Sequence, residues 1–462
     1  MNPTFRGGIH IPENKNTMSA ATERMPSPRV VKISLAQHSG APLTATVAPG
    51  DYVYRGQKVG DSSAAISCPV HSSVSGRVKA IELINDAGRA MPVEAVVIEN
   101  DGQDMLDPAI IEAQENLKPV SELTSDEVVE LVRQAGVVGM GGAVFPAYMK
   151  IKSSIGKAKT LLVNGAECEP RITADHRLML ERPREMLGGI DIVMRAVGCE
   201  KAIIAIEDNK PDAAALLKEL TQDRKDIEVR VLKTKYPQGE KSQIIYALTG
   251  KEPTHGVRLA DIGYLIFNAG TCAAIWQACA RAMPLTERIV TVDGDCVARP
   301  TNVIAPIGTP INDIIEYCGG LVRTPRRIIC GGPMMGEAQW NMNGVINKAT
   351  SALLVFSDQP ASQTKPKKSI FKAKEKLRDD PAPAVLPSCC INCGRCVSHC
   401  PMRLMPNYLA RLSKAKEYAG CEEYNISDCI ECGTCAYVCP GNVEIVQYIR
   451  VAKGAIRSAA KR

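Results

Sequence analysis

CINCGRCVSHCP at residues 390–401 and CIECGTCAYVCP at residues 429–440 are two copies of one cysteine run, Cys-x2-Cys-x2-Cys-x3-Cys-Pro. This spacing is the bacterial signature of cubane iron–sulfur clusters, and in two-cluster modules the fourth cysteine of each run ligates the other run's cluster. Cys390, Cys393, Cys396 and Cys439 are therefore assigned to one [4Fe-4S] cluster, and Cys429, Cys432, Cys435 and Cys400 to its partner. The exchange of fourth ligands holds the clusters close together. Zinc is the main competing reading. Structural zinc sites, however, usually pair two half-sites separated by roughly a dozen or more residues, whereas here four thiols crowd into one short run, twice. The runs predict a small helical dicluster, ferredoxin-like domain over 388–462 and a chain that carries electrons.

At 462 residues the chain exceeds one ordinary core, and roughly 150 residues per domain suggests about three domains beside the cysteine module. Hydrophobic content of 45% with 23% charged residues is that of a folded soluble protein. No stretch approaches the roughly 18 consecutive apolar residues of a membrane span, so no transmembrane segment is expected. The N-terminal MNPTFRGGIHIPENK lacks the apolar core of a signal peptide. A cytosolic chain, whose eighteen cysteines stay reduced, is the expectation. A net charge of +6 and an aromatic share of 4% argue against nucleic-acid binding. The basic excess gathers at 365–376 and 450–462, which read as a solvated linker and a helix end in preference to a docking patch.

Residues 30–100 alternate short β-branched runs with Gly, Pro and Asp turns. PVHSSVSGRVKAIE resembles the hairpin of biotinyl and lipoyl carriers, but its tip offers His71, Ser72, Ser73, Val74 and Ser75 where a carrier needs lysine. Residues 1–118 are therefore read as a non-swinging barrel-sandwich hybrid domain. From 119 to 284, apolar strands LLVN (161–164), AIIAI (202–206), VRVLK (229–233) and YLIFN (264–268) each lead into a helical period. That is an α/β unit with a largely parallel sheet. Its ligands belong at the strands' C-terminal ends, in loops beginning at Asn164, Glu207, Lys233 and Asn268. Residues 285–356 read as a compact α+β module with a helix at 311–318 stopped by Gly319-Gly320. Residues 357–387, rich in Pro, Lys and Asp, read as a linker.

Three glycines, Gly139, Gly141 and Gly142, precede Phe145-Pro146, so the backbone there can approach a phosphate or an isoalloxazine closely. The stretch lacks the strict GxGxxG form and is weak alone. Lys150 follows as a cation for a phosphate, against the default of a solvated lysine. Asn164-Gly165-Ala166-Glu167-Cys168-Glu169-Pro170 sets two carboxylates just past a strand end. Tyr236-Pro237-Gln238-Gly239-Glu240 and Asn268-Ala269-Gly270-Thr271 follow two further strands.

Together these loops resemble the flavin-bearing, NADH-oxidising subunit of respiratory complex I, whose glycine-rich, NA-acid-x-EP, Y-x-x-GE and Asn-containing loops surround FMN and the nicotinamide. With FRGGIHIPENK, NGAECEPRITADHRLMLE, IEDNKP, KYPQGEK and the double cysteine run, the chain is similar over nearly its whole length to the RnfC family of the Rnf ion-translocating electron transport complex. The resemblance implies a Rossmann-like FMN/NADH domain and a β-grasp, SLBB-like module at 285–356. It implies Gly139, Gly141, Gly142 and Lys150 lining FMN, with Asn164 and Asn268 hydrogen-bonding it. Phe145 would stack with the nucleotide, Glu167, Glu169 and Glu240 would border the nicotinamide, and Tyr236 would close the pocket. Met140, Ala166 and Lys241 depart from the complex I pattern and bear on the grip on NADH more than on the flavin cradle.

The implied activity is reversible electron transfer between NAD(H) and ferredoxin through FMN and two [4Fe-4S] clusters, coupled to ion export by membrane-integral and ferredoxin-like subunits. The implied place is peripheral, on the cytoplasmic face of the cell membrane. A cobalamin reductase of the PduS type is an alternative, although that family places its hybrid domain after the flavin domain. A flavin-free docking and relay subunit is another, supported by the three altered positions. Cys389 and Cys421 are read as packing or incidental thiols, and Cys168 has no adjacent base for nucleophilic work. The linker further suggests a cluster module that moves relative to the flavin domain, so that truncation at Pro387 would leave flavin reduction intact.

Overall fold

The computed structural model describes residues 2–86, 91–253, 256–357 and 389–459. Apart from Ser357, the linker read at 357–387 lies outside the described residues, as does the basic stretch at 365–376.

The hybrid domain is built from two small antiparallel sheets. One orders Val30–Ser34, Val93–Asn100, Gly76–Ile84 and Tyr52–Val53, and the other Thr44–Ala45, Lys58–Asp61 and Val70–His71. Val31, Ile33, Val53, Val59, Val70, Val78, Val96 and Ile98 fill the space between them. Gly76 is required at its corner, because a Cβ there would lie 1.9 Å from the Glu99 carbonyl oxygen. The hairpin tip does not swing free: His71, Ser72, Ser73 and Ser75 are buried, and Ser73 Oγ donates to the Ile307 carbonyl at 2.6 Å.

The α/β domain carries four parallel strands in the order Ile227–Leu232, Lys201–Glu207, Thr160–Gly165, Tyr264–Asn268. Leu161, Leu162 and Val163, and residues 202–206, are buried without alternation, as expected for strands covered on both faces. Helices Pro183–Val197 and Ala269–Arg281 pack closely, since a Cβ on Gly189 would sit 1.8 Å from the Cys272 carbonyl oxygen. All four strands end at one edge, at Gly165, Glu207, Leu232 and Asn268.

The α+β module has a six-stranded sheet ordered Glu23–Arg24, Thr301–Pro306, Glu287–Asp293, Ala352–Phe356, Arg327–Cys330, Glu337–Gln339, with one helix, Ile311–Tyr317. Its first strand comes from the N-terminus of the chain. Residues before Val30, grouped by sequence with the hybrid domain, run across the other units instead. Glu23–Arg24 pairs parallel with Thr301–Pro306, and Ile9 bridges to Tyr236.

The C-terminal domain is helical, with Arg395–Ser398, Pro406–Ala415, Tyr418–Glu423, Thr434–Tyr437 and Ile445–Ala459 around Leu409, Ala410, Cys421, Ile426, Ile445 and Ile449. It is docked on the α/β domain. Gly8 N–H donates to the His399 carbonyl at 2.8 Å, Arg403 pairs with Glu252 at 2.5 Å, and Ile9, Tyr236 and Cys432 share an apolar seam with Ile11, Met334 and Ile430. Gly7 and Gly8 allow this approach, both at positive φ, with Cβ positions 2.7 Å from the Cys400 oxygen and 2.5 Å from the Tyr236 oxygen. The expectation of a freely moving cluster module is thereby corrected: a buried seam and directed hydrogen bonds fix it.

Lys348 ties three units at one point. It is 1% exposed, and its ammonium donates to the carbonyls of Pro69 (2.8 Å) and Gly136 (2.6 Å). Burial pulls its pKa down to about 8. Lys348→Met leaves two buried acceptors unpaired and should cost about 2–4 kcal/mol, read as a lowered melting transition in calorimetry of the full chain; an unchanged thermogram would remove this residue from the joint. Truncation at Pro387 uncovers Ile9 and Tyr236, so hydrogen exchange across residues 5–11 should accelerate relative to the full chain. Equal protection in both forms would show the two halves to be separable after all.

Candidate functional site

The four loops predicted from sequence meet at the C-terminal edge of the parallel sheet. In the glycine loop, Gly139 N–H donates to the Phe145 carbonyl at 2.9 Å and Val144 N–H to the Gly139 carbonyl at 3.2 Å, which leaves Gly141, Gly142 and Ala143 exposed at the turn. Gly142 has φ +109°, and the space at Gly141 is bounded by Asn268, 3.5 Å from where a Cβ would stand. The loop is held over the start of helix Ala269–Arg281 by Met140 N–H, which donates to Thr271 Oγ1 at 2.9 Å. Asn268 caps that helix through Oδ1 to Thr271 N–H (3.2 Å), and its Nδ2 donates to Asp175 at 2.5 Å. A bare glycine turn over a capped helix N-terminus is a fitting cradle for a flavin mononucleotide, whose phosphate the helix's first-turn amides favour.

Lys150 points elsewhere. Its ammonium bonds the Ile266 carbonyl and sits 4.5 Å above the Phe267 ring, and burial lowers its pKa to about 8. Phe145 enters the loop through its backbone, and its side chain is half-buried.

The three predicted acids all hold backbone amides. Glu167 accepts from Asp175 N–H (2.7 Å) and His176 N–H (3.3 Å) at the start of helix Ala174–Glu181. Glu169 accepts from Met334 N–H (3.1 Å) and Met335 N–H (2.9 Å) in the α+β module, and Glu240 caps helix Lys241–Thr249 through Ser242 N–H (2.7 Å) and Gln243 N–H (3.2 Å). Burial raises the pKa of Glu167 and of Glu169 to about 7. Asn164 joins two loops, donating to the Gly239 carbonyl at 2.8 Å and accepting from Ala166 N–H at 3.1 Å. Tyr236 is buried and faces the cluster domain, its hydroxyl donating to the Cys432 carbonyl at 2.7 Å.

Two lysines that sequence reasoning passed over lie beneath the acid loop. Lys15 Nζ donates to the carbonyls of Glu167 (2.7 Å), Glu169 (3.1 Å) and Ile172 (2.7 Å). Lys210, 0% exposed, donates to the Ala166 carbonyl (2.6 Å) and to Asn209 (2.7 Å), with Glu207 at 3.7 Å. Both occur in phrases that stand out in the sequence, PENK and IEDNKP, but nothing local distinguishes a buried lysine from a solvated one.

The eight cysteines divide between two cavities. Cys400, Cys429, Cys432 and Cys435 line one, and Cys390, Cys393, Cys396 and Cys439, with Cys389, line the other. Each cavity thus gathers three thiols of one run and the fourth of the other, as a pair of cubanes would require. Among the described residues no three His, Cys, Asp or Glu side chains converge on a single ion. Backbone amides of Leu404 and Glu431 donate to Cys400 and Cys429 sulfurs, each at 3.4 Å. The first set lies against Tyr236; in the second, Cys390 and Cys393 are exposed. Cys421 packs in the helical core beside Ser413. A larger cavity of about 960 Å³ opens between the hybrid, α/β and α+β units, and none of the predicted site residues lines it.

Residues 132–277 match the Nuo51 FMN-binding domain, 3–103 the RnfC barrel sandwich hybrid domain, 289–338 the SLBB domain and 382–440 the 4Fe-4S dicluster domain. The chain is 40% identical over 462 residues to a component of the proton-translocating ferredoxin:NAD(+) oxidoreductase complex of Clostridium ljungdahlii, covering 99% of this chain and 95% of that protein. It belongs to the RnfC family. The corresponding component of the Na(+)-translocating ferredoxin:NAD(+) oxidoreductase complex of Acetobacterium woodii is likewise 40% identical over 463 residues, with 98% and 97% covered. That of the ion-translocating oxidoreductase complex of Haemophilus influenzae is 37% identical over 459 residues, with 98% and 66% covered. The RnfC assignment, with the hybrid domain ahead of the FMN-binding domain, sets aside the cobalamin-reductase alternative.

Glu169 gives this RnfC chain a signed pH dependence. Its folded pKa of about 7 exceeds the ordinary 4.5, so its contribution to stability is full below about 4.5 and is lost as pH rises through about 7. Glu169→Gln removes that titration, and the stability measured by denaturation between pH 5 and pH 8 (roughly the window of the shift) should fall less steeply with rising pH than in the parent. An identical slope in both would show that Glu169 does not titrate in this range.

Proposed function

We propose that this chain is the subunit at which NAD(H) exchanges electrons with the cluster relay of an ion-translocating ferredoxin:NAD oxidoreductase. The observation that carries the reading is the placement of the Cys400, Cys429, Cys432 and Cys435 cavity against Tyr236, beside the flavin loops, with the Cys390 set on the outer side. FMN, when bound, supplies the exchange of a hydride for single electrons, which one-electron clusters can take up. Gly139, Gly141, Gly142, Asn164 and Asn268 would frame the flavin, with Phe145 beside the nucleotide and Lys150 below the sheet end. Glu167, Glu169 and Glu240 would hold the loops that shape the nicotinamide pocket, and Tyr236 would form the wall shared with the inner cluster. Cys400, Cys429, Cys432 and Cys435 would ligate the inner cluster, and Cys390, Cys393, Cys396 and Cys439 the outer one.

The module at 285–356 is read as a β-grasp, and the other domains are taken to span 119–284, 388–462 and 1–118, the last with its residues before Val30 crossing the other units. Membrane-integral and ferredoxin-like subunits are the proposed partners, ferredoxin being reached through them. The proposed place is the cytoplasmic face of the membrane; among the described residues no helix is long and apolar enough to cross it. A second reading, a relay subunit without flavin, keeps only the replacement at Lys241 in its favour.

Flavin content and bleaching by NADH in the full reconstituted chain separate the two readings. Bound FMN reduced by NADH is the expected result, and clusters without flavin would overturn it. Cys393→Ser and Cys432→Ser should each lower iron from about eight to about four per chain. NADH should still reduce the remaining cluster in Cys393→Ser but reach the outer cluster far more slowly in Cys432→Ser. Equal reduction rates in the two variants would contradict the inner and outer assignment.

A further inference from the structure

The loop after the first parallel strand is shaped by ammonium groups on one side only. Lys15 has three N–H donors, and all three are used on carbonyls of one loop, those of Glu167, Glu169 and Ile172. Lys210 takes the Ala166 carbonyl. In a planar trans peptide the carbonyl of one residue and the N–H of the next point to opposite sides. Drawing the Ala166 and Glu167 carbonyls toward the two lysines therefore turns the Glu167 and Cys168 N–H groups away from them. Thr173 follows the same rule: the Ile172 carbonyl faces Lys15, while Thr173 N–H donates to Thr291 Oγ1 at 3.0 Å. Among the described residues, however, Glu167 N–H and Cys168 N–H have no acceptor. Glu167 also adopts φ +46°, a left-handed conformation that a residue with a side chain enters at a cost. Successive amides around such a residue form a concave donor pair suited to an anion.

Lys15 is held in place from both flanks. Arg171 N–H donates to the Glu13 carbonyl at 2.7 Å, Asn209 donates to the Glu13 carboxylate at 2.7 Å, and Asn16 donates to Asp293 at 3.2 Å. Burial, then the neighbouring Lys210, pulls the Lys15 pKa down. A cation with no carboxylate in hydrogen-bond contact among the described residues is thus kept beneath this loop at a desolvation cost.

We propose that Lys15 is a positioning residue of the flavin site: by turning the carbonyls of the loop inward, it presents the Glu167 and Cys168 amides to the electron-rich edge of bound FMN. The inference deepens the functional reading above and rests on it. Reduced flavin carries more negative charge than oxidised flavin, so an amide pair backed by a cation binds the reduced form more tightly. The charge comes from the N-terminal segment, not from the FMN-binding domain itself.

The test uses the full chain with both clusters reconstituted, comparing Lys15→Met, Lys15→Gln and Lys15→Arg with the parent. The readouts are the FMN dissociation constant of flavin-depleted protein, followed by flavin fluorescence, and the two-electron midpoint potential of bound FMN. A parent that takes up no FMN defeats the functional reading, and with it this inference. If the parent binds FMN, Lys15→Met should lose about tenfold in the preference for reduced over oxidised flavin, equivalent to about 30 mV, with Lys15→Arg recovering most of it. Iron content and melting establish that each variant is folded. Should Lys15→Met fail to fold, Lys15→Gln, which keeps donors without the charge, carries the same expectation. A folded Met or Gln variant with the parent's potential overturns the proposal, as does an Arg variant no better than Met.

Discussion

Loops at the C-terminal edge of a parallel sheet carry backbone groups that no neighbouring strand can pair, and in this chain buried and half-buried charges satisfy them. Glu167, Glu169 and Glu240 take amides, while Lys15 and Lys210 take carbonyls. An unpaired buried backbone group costs about as much as a lost hydrogen bond, so each charge here is tied to the shape of one loop. The flavin cradle depends on this arrangement, because a glycine turn with exposed Gly141 and Gly142 has no side chains of its own to fix it. Its order is borrowed from Thr271, Asn268 and Arg288.

The same principle joins the units. Lys348 reaches from the α+β module to carbonyls of the hybrid and α/β domains. Glu169 reaches in the other direction, from the α/β domain to amides of the α+β module. The N-terminal segment adds a third tie, since Ile9 exchanges backbone hydrogen bonds with Tyr236 while Gly8 bonds His399 in the cluster domain. Electron transfer between separately bound groups needs a fixed separation, and a buried seam at Ile9, Tyr236 and Cys432 supplies it better than a linker would.

Much of this was legible in the sequence, for physical reasons. LLVN and AIIAI read as strands because a strand covered on both faces is apolar without alternation, while YLIFN lies at the sheet's edge and is buried in alternation. The division of thiols between two cavities follows from cysteine spacing alone, and the serine-rich hairpin tip announced a domain that carries no swinging group. The N-terminal segment was not legible, because Gly7 and Gly8 look like any flexible turn until Tyr236 and Cys400 are brought against them. Nor were Lys15 and Lys348: a lysine is solvated by default, and the carbonyls that hold the Lys15 ammonium begin 152 positions away. The acids were found because carboxylates past a strand end need a partner, and each holds backbone amides.

The altered positions are where backbone chemistry stands in for side chains. Met140 replaces a basic residue in the glycine loop, yet its N–H bonds Thr271 and its carbonyl accepts from Arg288 at 3.3 Å, so a cation still stands beside the loop. That cation comes from the α+β module, is 4% exposed, and has its pKa lowered to about 10 by burial. Ala166 replaces an acid, and its carbonyl accepts from Lys210 at 2.6 Å. At Met140 the positive charge is moved off the loop onto a neighbouring segment; at Ala166 the negative charge is lost, and the cation beneath the loop is met by a backbone carbonyl. A loop whose geometry is set from outside can lose its own charged side chains and keep its shape, and this is why departures from the complex I pattern at Met140 and Ala166 do not argue against a flavin between them.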